Sequence, residues 1–522
     1  MSGRVYLIGA GPGDPGLFTL RGVTCLHEAD VVVYDYLANP RLLSYAKAGA
    51  ELIYVGKKGG EADATSQEQI GRLLIEKALA GKVVARLKGG DPFIFGRGGE
   101  EGEELFQAGI PFEVVSGVTS AVAVPAYAGI PLTHRDYAST VAFLTGHEDP
   151  SKDESAIAWD KVATGIDTLV FLMGVGNLPD IVDKLVTHGR PKDTPAAVIQ
   201  WGTKAEQMTV TGTLETIVAL VERRGMGPPA ILVVGEVVRL RERLEWFERR
   251  PLFGKRILIT RAREQAGSFA ELLEARGAEV VQLPLISFSP PDTWKPLDQA
   301  IERLEAYQWV IFTSANGVEA FFLRLRALRE DARRLGTAKV CAIGPATAEA
   351  LENHSIIPDL VPAAFRAEGI IEAFEQHDLH GARILLPRAE VARDLLPLEL
   401  KKRGATVDLV PAYRTVHADS EGGLLKELLQ DRKIDLVTFT SSSTVTHFVE
   451  LLQTEDLKAL MEGVRVACIG PITAGTAEGV GLAVDIMPEQ YTIPALAESI
   501  IRYFVASAPA CGPGSLEVAG TN

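Results

Sequence analysis

The sequence predicts an α/β protein with more than one domain. Short apolar segments such as Val5–Ile8, Val31–Tyr34 and Leu52–Val55 end in polar or glycine-rich loops, and helical patterns follow them. At 522 residues the chain is too long for a single hydrophobic core and predicts roughly three or four compact units. The second half also repeats itself at a nearly constant spacing. We therefore expect two domains in series, the second of them internally duplicated.

Composition excludes several classes of partner. The chain is 47% hydrophobic and 23% charged, which is typical of a globular protein, and its net charge of −15 argues against nucleic acid or an anionic membrane as a partner. The four cysteines, Cys25, Cys341, Cys468 and Cys511, show no Cys-x-x-Cys pairing, so we expect neither a metal site nor a disulfide framework. The N-terminus lacks the pattern of a signal peptide. A reducing, cytoplasmic location fits both observations.

A glycine-rich motif spans residues 86–101. An apolar segment that ends at Leu87 predicts a strand, and five glycines follow within eleven residues, so that the backbone can approach a ligand closely. Asp91, Arg97 and Glu100 stand among these glycines, and a helical pattern begins at Glu100. The mixture of charges suits a ligand, or a pair of ligands, carrying both signs. The alternative is an ordinary turn.

Two further loops carry candidate residues. The segment from Gly9 to Gly16 resembles a dinucleotide motif superficially, but two prolines interrupt the place where the helix should begin, and we reject that function. Asp35 ends the second strand, at the sheet edge where α/β proteins bind ligands; its alternative role is to cap a turn or helix. Lys57 follows the third strand and could donate a proton or hold a carboxylate, although most loop lysines are only solvated.

Four strings in this half together resemble one family. They are Gly9-Ala-Gly-Pro-Gly-Asp14, Gly89-Gly-Asp-Pro-Phe-Ile-Phe-Gly-Arg-Gly-Gly-Glu-Glu101, Ala126-Tyr-Ala-Gly-Ile-Pro-Leu-Thr-His-Arg135 and Val234-Gly-Glu-Val-Val238. Residues 1–245 are thereby similar to uroporphyrinogen-III C-methyltransferase, of the tetrapyrrole methylase fold with two α/β subdomains. The resemblance implies transfer of two methyl groups from S-adenosylmethionine to uroporphyrinogen III, giving precorrin-2 for sirohaem or cobalamin. A methylase of a later corrin intermediate is the alternative within this class.

The resemblance also implies roles for individual residues. Asp35 matches a proposed proton acceptor and Lys57 a proposed proton donor, while Arg97, Glu100 and Arg135 match residues associated with the tetrapyrrole and its deprotonation. Asp35, Glu100 and a lysine all stay open as the base that removes the ring proton. The family implies a homodimer formed through this domain. The residues implied to hold the methyl donor are Pro12, Gly89, Gly90, Asp91, Ile94, Thr119, Ser120, Met173 and Gly202.

The second half is an internal duplication that follows a predicted linker at residues 246–254. Arg261 recurs as Arg388, 127 residues later, and Thr313-Ser314 recurs at the same spacing as Thr440-Ser441. We expect two similar α/β units facing each other across a cleft. Hydroxyls at strand ends and helix starts lie beside free backbone N–H groups and can hold anions, with the two arginines adding positive charge. Simple helix capping is the alternative.

Residues 255–505 resemble uroporphyrinogen-III synthase. The resemblance implies cyclisation of hydroxymethylbilane, with loss of water and inversion of ring D, without a cofactor. Tyr413 matches a tyrosine that assists departure of the hydroxyl, and Thr347 and Thr473 match cleft threonines. The chain is then a bifunctional enzyme; alternatively, this half is a non-catalytic tetrapyrrole-binding module. The small, polar residues 506–522 predict a disordered tail.

Overall fold

The computed structural model describes residues 3–56, 66–147, 155–261, 263–283, 285–391, 394–417, 422–454 and 456–507. The chain divides into two compact units: Met1–Lys255 with Arg276–Glu279, and Arg256–Ala275 with Val280–Asn522. The candidate residue Lys57 lies outside the described residues, as does the predicted tail beyond residue 507. Residues 246–254, predicted to form a linker, pack against the first unit, where Phe247 and Leu252 are buried.

The first unit contains ten strands and eight α-helices. The strands are β1 (Arg4–Gly9), β2 (Val31–Tyr34), β3 (Glu51–Tyr54), β4 (Val83–Lys88), β5 (Phe112–Val115), β6 (Val141–Thr145), β7 (Thr168–Leu172), β8 (Pro195–Gln200), β9 (Met208–Thr213) and β10 (Ala230–Val234). The helices are α1 (Leu20–Glu28), α2 (Gln67–Leu79), α3 (Gly98–Gln107), α4 (Ser120–Tyr127), α5 (Trp159–Gly165), α6 (Leu178–Thr187), α7 (Ile217–Arg223) and α8 (Arg241–Leu244).

Two five-stranded sheets organise this unit. The first has the order β3-β2-β4-β1-β5, and every pair in it is parallel, so that all its strands end at the same edge. The second has the order β6-β7-β10-β8-β9, in which β10 is antiparallel to both neighbours; β6, β7 and β8 therefore also end at one edge. These two edges carry the loops in which the sequence analysis places its candidate residues.

The apolar strands predicted from the sequence are present because both faces of each sheet are covered. In the first sheet, Tyr6 and Ile8 face a core with α1, while Val5 and Leu7 face another core with α2 and α3. Strands that are buried on both sides read as continuous apolar runs, which is why the sequence shows them clearly.

The second unit contains nine strands and eleven α-helices. The strands are β11 (Arg256–Ile259), β12 (Glu279–Gln282), β13 (Ile286–Ser289), β14 (Trp309–Phe312), β15 (Lys339–Ala342), β16 (Arg383–Ala389), β17 (Thr406–His417), β18 (Leu436–Phe439) and β19 (Arg465–Cys468). The helices are α9 (Arg263–Glu274), α10 (Lys295–Glu302), α11 (Ala315–Ala327), α12 (Pro345–Asn353), α13 (Ala367–Ala373), α14 (Leu395–Lys402), α15 (Gly422–Gln430), α16 (Ser442–Leu452), α17 (Leu457–Leu460), α18 (Pro471–Gly479) and α19 (Ile493–Ser507).

The duplication does not divide the second unit as the sequence suggests. One sheet has the order β12-β11-β18-β19 and the other β13-β17-β16-β14-β15, so each sheet takes strands from both repeats. The pairing obeys the repeat spacing: Ile257 lies opposite Leu436, and 127 residues further along and back, Ile384 lies opposite Trp309. Each lobe is thus assembled from both copies, and the expectation of one unit per repeat was wrong. Strand pairing across the repeats closes both sheets, and a spacing alone cannot reveal it.

Candidate active sites

Three glycines bring backbone segments of the first unit into direct contact. Gly90 N–H donates to Gly11 O at 2.7 Å, and Gly11 N–H donates to Gly90 O at 3.1 Å. A Cβ atom on Gly9 would lie 2.5 Å from Gly117 Cα, and one on Gly117 would lie 2.3 Å from Gly90 O. The ends of β1, β4 and β5 therefore meet without side chains between them. Such a surface lets a ligand approach the backbone itself.

Backbone strain is concentrated in the same loops. Among the described residues, nine residues other than glycine have a positive φ, and five of these are Phe95, Arg97, Met173, Trp201 and Thr203. These five lie in the loops that follow β4, β7 and β8, within segments that contain predicted site residues. A left-handed conformation at such residues costs free energy and persists only where the surroundings impose it, commonly at functional sites.

Hydrogen bonds join the loop after β1 to elements of the second sheet. Tyr127 OH donates to Asp14 Oδ2 at 2.7 Å, and Asp14 N–H donates to Thr203 Oγ1 at 3.1 Å. The rings of Tyr36 and Trp201 meet edge to face at 6.0 Å. Burial, with Asp14 beside it, raises the pKa of Tyr127, so this phenol stays protonated as a donor. The carboxyl-terminal edges of the two sheets consequently line one site.

The residues predicted to hold the methyl donor lie around this junction, although Asp91 has a structural duty. Its Oδ1 accepts from Phe93 N–H at 2.8 Å and its Oδ2 from Gly117 N–H at 3.0 Å, which ties two loops together. Thr119 caps α4, and Ser120 is the first residue of that helix. A Cβ atom on Gly89 would lie 2.5 Å from Leu37 Cβ.

The remaining predicted donor contacts differ in exposure. Ile94 is 37% and Met173 52% exposed, so both can offer apolar surface to a ligand. Pro12 is half-buried in the loop after β1. Gly202 packs so closely on Val124 that a Cβ atom would lie 2.4 Å from its side chain. The site thus combines exposed apolar side chains with a bare backbone, which fits a ligand that has a flat apolar part and polar groups.

Two separate ion pairs contain the acid–base candidates. Asp35 follows β2; its Oδ1 accepts from Leu37 N–H at 3.1 Å and its Oδ2 from Arg86 at 3.2 Å. It therefore does cap a turn, as the alternative interpretation held, and it is also paired. Arg97 and Glu100 form an exposed pair at 2.6 Å, whose hydrogen bond lowers the pKa of Glu100.

Arg135 stands apart from these pairs. It is exposed in the turn that the His134 and Ala138 backbones close after α4. Within the described part of the chain, no hydrogen bond or ion pair joins it to Asp35, Arg97 or Glu100.

Sequence reasoning missed three buried charged residues beside Asp35. Arg86 and Lys88 on β4 are 3% and 4% exposed, and Glu101 on α3 is fully buried. An Arg-Leu-Lys ending in an apolar strand was the available signal, but alternation predicts that such residues face solvent. Their burial depends on a carboxylate thirteen residues beyond Lys88.

In the second unit, Tyr413 contacts one of the predicted hydroxyls. Its OH lies 3.1 Å from Ser314 Oγ, and its ring packs edge to face on Phe288 at 5.5 Å. The residue is 9% exposed, and burial raises its pKa. The register of β16 on β17 shifts just before it, between Arg388 and Ala389, and such bulges re-aim side chains near active sites.

The other predicted residues of this unit follow strand ends or lie in helices. Ser314 caps α11 and Ser441 caps α16, each accepting from an N–H in the first turn of its helix. Thr313 and Thr440 precede them and are half-buried. Hydroxyls thus form two groups, one around each serine, at equivalent positions of the repeats. Helix capping is therefore one true function of these serines.

The arginines and helix threonines are less exposed. Burial lowers the pKa of Arg261, which follows β11, and Arg388 pairs with Asp394 at 2.8 Å. Thr347 and Thr473 lie in α12 and α18 and are 4% and 5% exposed. A ligand would reach these threonines only through a small opening.

One finding concerns membranes. In the described ranges, no helix combines the length and the apolar character that crossing a bilayer requires.

Comparison with known proteins gives one match for each half of the chain. The model of the tetrapyrrole (corrin/porphyrin) methylases matches residues 4–218, and that of uroporphyrinogen-III synthase HemD matches residues 267–498. The porphyrin biosynthesis protein HemD of Ruminiclostridium josui is 38% identical over 500 residues, which cover 96% of this chain and 98% of that protein.

Two further relatives match the first half. Uroporphyrinogen-III C-methyltransferase of Priestia megaterium is 54% identical, over 45% of this chain and 98% of its own. A crystal structure of uroporphyrin-III C-methyltransferase from Thermus thermophilus, in complex with S-adenosylhomocysteine, is 41% identical over 46% of this chain and all of its own, with a TM-score of 0.39. This chain belongs to the tetrapyrrole biosynthesis proteins that join a tetrapyrrole methylase to a uroporphyrinogen-III synthase.

Proposed function

We propose that the chain cyclises hydroxymethylbilane to uroporphyrinogen III, inverting ring D, and then methylates that product twice to give precorrin-2. Methyl transfer is assigned to residues 1–245 and cyclisation to residues 255–505. The observation that carries the first assignment is the bare backbone contact of Gly9, Gly90 and Gly117 at the edge of the parallel sheet. Exposed apolar side chains flank that contact, and S-adenosylmethionine has both an adenine ring and a charged amino acid end.

The methyl donor site uses backbone more than side chains. When bound, S-adenosylmethionine supplies a methyl group already activated by its sulfonium charge. The protein then has to align that methyl group with a pyrrole carbon, and fixed loops suit this because alignment lowers the entropic part of the barrier. We place the donor against Pro12, Gly89, Gly90, Asp91, Ile94, Thr119, Ser120, Met173 and Gly202.

Arg97 and Glu100 are proposed to exchange partners when the tetrapyrrole binds. Uroporphyrinogen III carries eight carboxylates, and a substrate carboxylate can take the exposed guanidinium of Arg97 in a bidentate pair. Glu100 then loses the hydrogen bond that lowers its pKa and becomes a stronger base. Arg135 offers a second exposed cation for the substrate. Asp35 lies at the sheet edge, where it can also accept the ring proton.

Tyr413 is proposed to assist departure of the bilane hydroxyl. Burial raises the pKa of this phenol, so it stays protonated and can donate to the leaving oxygen, while Ser314 orients its OH. The two hydroxyl groups and the arginines hold carboxylates of the bilane: Arg261, Thr313, Ser314, Thr347, Arg388, Thr440, Ser441 and Thr473. The cyclisation needs no cofactor in this proposal.

Separate variants test whether the two activities have separate sites. Asp35→Ala and Arg97→Ala should stop methylation of uroporphyrinogen III and leave cyclisation of hydroxymethylbilane unchanged. Tyr413→Phe should do the reverse. Equal loss of both activities in any one variant would contradict independent sites. Bilane binding without turnover by the unaltered protein would make the second half a binding module.

Two further proposals rest on the family resemblance alone. We propose that the protein forms a homodimer through its methyltransferase half and acts in the cytoplasm. Light scattering on the full-length protein should give twice the chain mass. A monomer at assay concentration would contradict the first of these proposals.

A further inference from the structure

Two cationic side chains end the inner face of β4. Arg86 lies opposite Leu7 and Val33, whose side chains belong to the apolar core beneath α2 and α3. Lys88 points to the same face because alternate residues of a strand share a face. Both are almost completely buried. Two buried cations are costly unless anions accompany them.

Glu101 and Asp35 supply the two negative charges. Lys88 Nζ lies 2.6 Å from Glu101 Oε1, and Gln67 donates to the same oxygen at 2.9 Å. Arg86 Nε lies 3.6 Å from that oxygen, and its other end donates to Asp35 at 3.2 Å. With all four groups ionised, the cluster is neutral. Burial lowers the pKa of Lys88, with the neighbouring Arg86 charge adding to the effect, and Glu101 opposes it.

Asp35 is the member of this cluster that reaches the site. Its side chain is 23% exposed, whereas those of Arg86, Lys88 and Glu101 are 5% exposed or less. Arg86 also donates to Leu87 O at 2.9 Å, so its guanidinium is fixed by the backbone as well as by charge. With Oδ1 on the Leu37 N–H and Oδ2 on Arg86, the Asp35 carboxylate has both oxygens held.

We propose that Arg86 is a positioning residue for methyl transfer: anchored by Glu101 and the backbone, it fixes the Asp35 carboxylate at the edge of the sheet. Lys88 neutralises Glu101, which leaves the second face of the Arg86 guanidinium to Asp35. This inference rests on the proposed function of Asp35 in the methylase site. Arg86 itself does not touch the substrate in this account.

A double-mutant cycle in the full-length protein tests this. The variants are Arg86→Met, Asp35→Asn and their combination, assayed for kcat and KM with uroporphyrinogen III and for S-adenosylhomocysteine affinity by calorimetry. If Arg86 acts through Asp35, each single variant lowers kcat by roughly 10- to 100-fold and the double variant is no slower than Asp35→Asn. The affinity for S-adenosylhomocysteine should stay within about threefold, since the donor loops are unaltered.

Two controls separate positioning from stability. Arg21→Met removes an exposed arginine of α1 that pairs with Glu113 at 2.8 Å and should leave kcat unchanged. If Arg86→Met does not fold, Arg86→Lys keeps the charge without the two-ended geometry; kcat should fall partly, and adding Asp35→Asn should cause no loss beyond that of Asp35→Asn alone.

Three outcomes would overturn the inference. Losses that multiply in the double variant would show that Arg86 acts independently of Asp35, and an Arg86→Met protein with nearly unaltered kcat would show that it does not act. An Asp35→Asn protein with full activity would refute the proposed function of Asp35 first, and the inference with it. An inactive Asp35→Asn beside a fully active Arg86→Met would refute the inference alone.

Discussion

Gly117→Ala tests the backbone contact on which the methyl donor site depends. The added Cβ atom would lie 2.3 Å from Gly90 O and 2.6 Å from Gly9 Cα, and both neighbours are backbone atoms that cannot rotate away. Overpacking of this kind costs about 1–3 kcal/mol. If the strain falls on the bound geometry, the Kd for S-adenosylhomocysteine rises roughly 5- to 150-fold, at about tenfold per 1.4 kcal/mol. Isothermal titration calorimetry measures this directly.

Gly99→Ala is the matched control for that substitution. Gly99 lies in the same motif, at the start of α3, and a Cβ atom there would have no heavy atom within 4 Å. Alanine should leave the Kd unchanged and stabilise the helix by up to about 1 kcal/mol. A Gly117→Ala protein that binds S-adenosylhomocysteine as tightly as the parent, at the same Tm, would refute the close contact of the three glycines.

Three further predictions follow from individual contacts. In Tyr413→Phe, which keeps the ring but removes the OH, cyclisation should slow by roughly 10- to 100-fold, measured as the initial rate of uroporphyrinogen III formation; less than a twofold change would contradict a donating phenol. Tyr127→Phe leaves Asp14 Oδ2 without its donor and should cost about 1–3 kcal/mol, seen as a lower Tm, whereas an unchanged Tm would count against that hydrogen bond. Burial raises the pKa of Cys341 and of Cys468 to about 12, so at pH 8 both thiols should resist a disulfide reagent until the protein is denatured, and rapid reaction of either in the native protein would contradict its burial.

The strands of the first unit were predictable because burial on both faces makes them apolar throughout. Val31–Tyr34 and Ala230–Val234 have the same bounds in the sequence analysis and in the structure. At β7 the predicted strand included Met173, which the structure excludes because its φ of 57° cannot continue a strand. That conformation comes from the loop and its neighbours, and residue type does not encode it.

Contacts between distant segments set the limit of what the sequence could predict. A charged Arg-Leu-Lys in a strand predicts exposure unless the carboxylate of Glu101 is known to lie above it. Asp91 looked like a ligand contact, yet both its oxygens accept backbone N–H groups, one of them from Gly117. The repeats were visible as spacing, whereas their exchange between lobes depends on pairings such as Ile257 with Leu436.

The most direct test of the bifunctional account is mass analysis of products after hydroxymethylbilane is supplied anaerobically, with and without S-adenosylmethionine. The account predicts uroporphyrinogen III without the methyl donor and a product heavier by two methyl groups with it. If the protein methylates only added uroporphyrinogen III and leaves hydroxymethylbilane uncyclised, the second unit does not catalyse the reaction proposed for it.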